Sequence, residues 1–99
     1  SIPAGNENGA EIVDNLKSRT GFGSLKYEGV ESTDINDDNA IVSIKLRDEK
    51  LSRDFILKIK MQQLDDGLWR LQEITNLQDF MKEREAAVGR IKQAGSRTD

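Results

Sequence analysis

Three side chains have the types and the placement to do chemistry: Tyr27, Trp69 and Glu73. Along Trp69-Arg70-Leu71-Gln72-Glu73-Ile74, strict alternation of a strand puts Trp69, Leu71 and Glu73 on one face. Glu73 is then a carboxylate inside an apolar concavity, where desolvation raises its pKa. A bulge near Gln72 gives the opposite outcome: Ile74 turns inward, Glu73 turns out, Trp69 is core and Tyr27 packs on the sheet. Lone buried carboxylates are rare, which favours the bulge. The direction of one side chain thus separates a pocket from a filled face.

The other constellations are weaker. Asp34-x-Asn36-x-Asp38 has the first three ligand positions of a calcium loop. Asn39 stands where the sharp turn needs Gly, and Lys45 where the bidentate Glu belongs, so turn chemistry explains these residues better. Gly21-Phe22-Gly23 has no Gly-Lys-Ser/Thr after it and reads as a turn, not a phosphate loop. The chain contains neither Cys nor His, which excludes thiolate and imidazole zinc sites, Cys nucleophiles and His bases. No catalytic residue, metal or cofactor is expected, and the balance leans away from an enzyme.

The 99 residues make one domain, with 1–9 and 95–99 expected to be flexible. The net charge of -3 hides an asymmetry: residues 1–40 carry eight acids against three bases, and the remainder ten against twelve. Neither part is basic enough for a nucleic-acid surface. No run is long and apolar enough for a membrane span, so membrane contact requires an anchor ahead of Ser1.

The elements that must position these residues follow from periodicity. Ala10 to about Ser18 fits a short helix, capped by Asn8 with Glu11, on an Ile12/Val13/Leu16 stripe. A first strand spans Ser24 to Thr33 with a bulge at Gly29, and residues 34–39 form a turn. Ala40–Arg47 and Asp54–Gln63 alternate with period two, so each is a half-buried strand. Pairing Leu46 with Phe55 sets Arg47 opposite Asp54 and Asp48 opposite Arg53, two pairs of opposite charge. A three-residue turn, Asp65-Asp66-Gly67, sets Met61 against Leu71 and Gln63 against Trp69. A helix from Leu77 to about Ala94 carries the stripe Leu77, Phe80, Met81, Ala87, Val88, Ile91 and Ala94, with capping boxes at Thr75/Gln78 and Asn76/Asp79, and Gly95 ends it. The fold class is α+β: a four-stranded antiparallel meander sheet with a short N-terminal and a long C-terminal helix.

The segment Asp66-Gly-Leu-Trp-Arg-Leu-Gln-Glu-Ile-Thr-Asn-Leu77 resembles the last strand and exit of bacterial domains of unknown function in the nuclear transport factor 2-like, cystatin-like group. The looser likeness covers residues 24–80. The resemblance implies a curved sheet around helices, often with a cone-shaped cavity that elsewhere holds an acidic base beside a phenol. It also implies export or anchoring in the bacterial envelope. Several helices usually precede the sheet in that group, whereas this chain offers only residues 10–18. An uncovered apolar face then predicts a dimer, or a protein partner, through the sheet or the C-terminal helix. The expectation is a non-catalytic binding or assembly module of an envelope protein; the alternative that the resemblance implies is a small-molecule pocket or enzyme with Glu73 as general base and Tyr27 as a polarising donor.

Overall fold

The computed structural model describes residues 9–96, so the cap at Asn8 and the expected flexibility of 1–8 and 97–99 fall outside the described residues. Its elements are α1 (Gly9–Thr20), β1 (Leu25–Asn36), β2 (Asn39–Asp48), β3 (Arg53–Gln63), β4 (Trp69–Ile74) and α2 (Leu77–Ser96). The strands lie in the order β1-β2-β3-β4, each antiparallel to its neighbour. This is the α+β meander with a helix at each end.

The stripe on α1 is buried through Ile12, Val13 and Leu16. The helix ends where Gly21 adopts φ 74° and donates its N–H to the Lys17 carbonyl at 2.8 Å. That left-handed closure satisfies a terminal carbonyl and needs no Cβ. Gly9, expected to be frayed, is the buried first residue of α1, and a Cβ there would run into the Tyr27 ring.

The β2–β3 ladder is uninterrupted from Asn39↔Gln62 to Asp48↔Arg53 and has the register that the charges predict. Val42, Ile44, Leu57, Ile59 and Met61 are fully buried on its inner face. Each is worth about 1.5–3 kcal/mol relative to exposure, so a one-residue slip is prohibitive. β1 bulges at Gly29 as expected and again between Val30 and Ser32. It also runs three residues beyond the expected Thr33. The turn chemistry of residues 34–39 is needed only at Asp37-Asp38, where Asp37 takes φ 55°, while Asn36 and Asn39 pair as the last rung. Asp34 and Asn36 are therefore strand residues of a hairpin and do not wrap a common centre.

The β3–β4 turn is the three-residue loop expected from Asp65-Asp66-Gly67. Gly67 has φ 82°, and Leu64 N–H donates to the Leu68 carbonyl at 2.9 Å. Met61↔Leu71 and Gln63↔Trp69 follow. The register then shifts: Lys60 lies opposite Glu73 and Ile59 opposite Ile74, leaving Gln72 as the extra residue of a bulge.

Past Ile74 the chain makes a connection that the capping reading missed. Thr75 N–H donates to the Lys58 carbonyl at 2.8 Å. Asn76 Oδ1 accepts the Lys58 N–H at 2.8 Å, and Asn76 Nδ2 donates to the Ile56 carbonyl at 2.9 Å. The Asn76 amide thus stands in for another strand residue along β3 instead of capping α2. Backbone groups of β3 beyond the end of β4 would otherwise lack partners, which explains the choice. α2 then runs across β3 on the inner face. Phe80 is buried and Leu77 half-buried, whereas Met81, counted on the stripe, is 40% exposed. Gly95 and Ser96 continue α2 by two residues past the expected end.

Deleting Gln72 would leave Leu71, Glu73 and Ile74 opposite Met61, Lys60 and Ile59 in regular alternation. The deletion should therefore cost no more than about 1 kcal/mol. Deleting Lys60 from β3 should abolish the cooperative transition, because every inner residue beyond it changes face. Thermal unfolding of both variants checks the pair.

Candidate functional site

Tyr27, Trp69 and Glu73 do not share a site. Tyr27 is half-buried on edge strand β1, in the row Tyr27–Leu46–Phe55, with its ring over Gly9. Trp69 is buried on the opposite edge strand, facing Gln63. Phe55 and Gln63 are eight residues apart on β3, roughly 26 Å of strand. Glu73 is exposed, on the outer face with Lys60. The Gln72 bulge reverses its direction and turns Ile74 inward. Burying an isoleucine is favourable where burying an unpaired carboxylate is costly.

Among the described residues a groove opens beside the packed inner face. It is half-open, about 200 Å³, and runs between α1 on one side and β4 with the start of α2 on the other. Ile12, Leu16, Leu71, Ile74 and Leu77 form its apolar walls; Glu11, Asn15, Arg19 and Thr20 line its rim. The spacing along α1 is that of one helix face, so the stripe that packs α1 on the sheet also supplies a groove wall. Trp69, Tyr27 and Glu73 lie outside it. Thr20 Oγ1 donates back to the Leu16 carbonyl at 2.7 Å, while Arg19 makes no ion pair among the described residues.

The most concentrated electrostatics lie elsewhere, at Asp48. This carboxylate is fully buried at the end of β2. Its Oδ1 accepts from Ser24 Oγ at 2.7 Å and from the Lys50 and Leu51 N–H groups at 3.1 Å each. Its Oδ2 accepts from Arg84 Nε of α2 at 3.0 Å. The Arg84 guanidinium lies 4.0 Å from the Phe22 ring centroid. Phe22 and Phe55 both meet Phe80 edge-on, with centroids 6.3 and 5.3 Å away. One side chain therefore joins the α1–β1 connection, the β2–β3 turn and α2.

Burial pushes the Asp48 carboxyl up. The hydrogen bonds from Ser24, Leu51 N–H and Arg84, with the Arg84 charge, outweigh burial and hold it below the usual carboxylate range. Charge pairing had assigned Asp48 to Arg53. The two are opposite in register, but the carboxylate turns inward to Arg84 while Arg53 lies near the Phe55 ring, 5.7 Å from its centroid. The companion pair forms as expected: Arg47 meets Asp54 at 3.1 Å, and Lys45 joins at 3.7 Å. A sequence signal for the inward carboxylate existed. Asp48 continues the Ala40/Val42/Ile44/Leu46 phase, and Arg84 sits one turn beyond Phe80 on the α2 stripe.

Among the described residues no group of three or more acidic side chains could hold a metal ion. The arrangement offers a structural ion pair and an apolar groove. No family model matches the chain, and neither a curated protein nor a solved structure matches it.

The Asp48 carboxyl titrates below its unfolded value of about 3.9. Its contribution is thus fully present above that pH and is lost as the pH falls through the lower folded pKa. Thermal midpoints should stay flat from neutral pH to about 5 and drop below about 4. Asp48→Asn should cost about 2–4 kcal/mol at pH 7 and flatten part of the acid limb, measured by denaturant unfolding at several pH values.

Proposed function

We propose that this chain is a non-catalytic binding or assembly module that associates with a second copy of itself through the outer face of the sheet. The observation that carries the reading is the state of that face. Among the described residues no helix covers it, Ile41 and Ile56 are 36% and 37% exposed there, and Lys60 opposite Ile41 and Lys58 beside it make no ion pair. An exposed aliphatic surface flanked by lysines fits a partner that is itself apolar and acidic. The chain offers acidic groups along β1, where Glu28, Glu31 and Asp34 are exposed, Asp34 opposite the exposed Ile41.

Membership of the nuclear transport factor 2-like group, and with it a bacterial envelope setting, belongs to the same proposal. Both rest on the strand-to-helix segment of residues 66–77 and on the order of the strands. The reading as an enzyme with Glu73 as base has no support in the geometry, because Glu73 faces solvent, opposite Lys60.

Sedimentation velocity at low ionic strength should show association that grows with protein concentration and weakens with added salt. The Lys58→Glu/Lys60→Glu variant should sediment as a monomer under the same conditions. A concentration-independent monomer at low salt, unchanged in the variant, would contradict the proposal.

A further inference from the structure

We infer that the groove between α1 and β4 is a binding site for a straight-chain aliphatic carboxylate of about six to eight carbons, held by its chain on the apolar walls and by its carboxylate at Arg19. The inference deepens the reading of the chain as a binding module and uses a surface separate from the outer sheet face.

Size comes first. A groove of about 200 Å³ falls below the ~300 Å³ at which pockets for drug-sized ligands and cofactors begin. At ~30 Å³ per group, the liquid volume of one water, it holds roughly six or seven methylene-sized units. Shape follows from α1: the lining residues from Glu11 to Thr20 span about 14 Å of helix, so the space is long and narrow. A linear chain fills it better than a ring or a globular ligand. The walls are branched aliphatics from three elements, Ile12 and Leu16 facing Leu71, Ile74 and Leu77.

Charge sets the head group and its direction. The groove has Glu11 at one end and Arg19 two turns further along the same helix face. Arg19 is exposed and has no ion-pair partner among the described residues. An anion is met by a planar donor at the second end. The α1 dipole disfavours an anion near its C-terminus, but that effect is smaller than a charge-assisted hydrogen bond to a guanidinium. Asn15 on the rim adds neutral hydrogen-bonding capacity between the two charges.

The test is a titration of the ¹⁵N-labelled protein with octanoate, octan-1-ol, butanoate and dodecanoate, with Arg19→Gln alongside. Octanoate should bind with a dissociation constant on the order of 1 mM or tighter and shift amides confined to residues 11–20 and 71–77. Octan-1-ol should bind about tenfold more weakly, and Arg19→Gln should weaken octanoate by about the same factor while leaving octan-1-ol unchanged. Butanoate should be about a hundredfold weaker. Arg19 is exposed on a helix surface, so the variant should fold, and the octan-1-ol arm verifies its groove directly. Absent shifts at these residues, equal affinity for the alcohol and the acid, or affinity that keeps rising to dodecanoate would each overturn the inference. So would a peptide ending in Leu that displaces octanoate at lower concentration, which would assign the groove to a chain terminus. Failure here with salt-sensitive self-association intact counts against this site alone; loss of both removes the module reading itself.

Discussion

The buried Asp48 carboxylate is the constraint on which the arrangement of layers depends. Three of its partners belong to different parts of the chain: Ser24 ahead of β1, the backbone of the β2–β3 turn, and Arg84 on α2. An ion pair removed from water is not automatically stabilising, because desolvation can exceed the Coulomb gain. Here the carboxylate's oxygens are supplied with four donors, and no buried side-chain polar atom among the described residues lacks a partner. A fully satisfied network specifies one geometry, since any displacement of α2 leaves a charge unpaired in a dry site. Aromatic packing reinforces the same geometry. Phe80 is held between Phe22 and Phe55, and Arg84 covers the outer side of Phe22.

Fixing α2 at this end fixes the candidate groove at the other. Asn76 ties the start of α2 to the free backbone of β3, and Leu77, one residue on, is a groove wall. Gly21 closes α1 and Phe22 joins the aromatic cluster, so α1 is held by the same anchor. The groove is the space left between two helices whose positions are set independently of it. That makes it preformed, which reduces the ordering cost of filling it.

Much of the fold was legible because it rests on period and on turn chemistry. The β2–β3 register follows from two alternating runs and a charge match, and Gly67 marks a three-residue turn by its need for positive φ. The Gly29 bulge is visible as a break in alternation. What alternation leaves open at Glu73 is resolved by comparing burial of Ile74 with burial of a carboxylate, and the bulge at Gln72 follows. The missed features are those in which a polar side chain takes a tertiary partner. Asp48 looked like a cross-strand partner of Arg53 and Asn76 like a cap. Local spacing supports both readings, and the tertiary packing around β3 and α2 selects against them. The groove was equally hidden, because Ile12 and Leu16 carry the same stripe whether or not a neighbour covers all of it.

The central claim is that Asp48 and Arg84 act as one unit in holding the helices to the sheet. A double-mutant cycle of Asp48→Asn and Arg84→Met, read by urea unfolding at pH 7, measures this directly. The account predicts a coupling energy of about 1.5–3 kcal/mol, with the double variant more stable than the sum of the single losses implies. Additivity within about 0.5 kcal/mol would contradict it, and the anchoring of α2 would then belong to the Phe80 cluster alone.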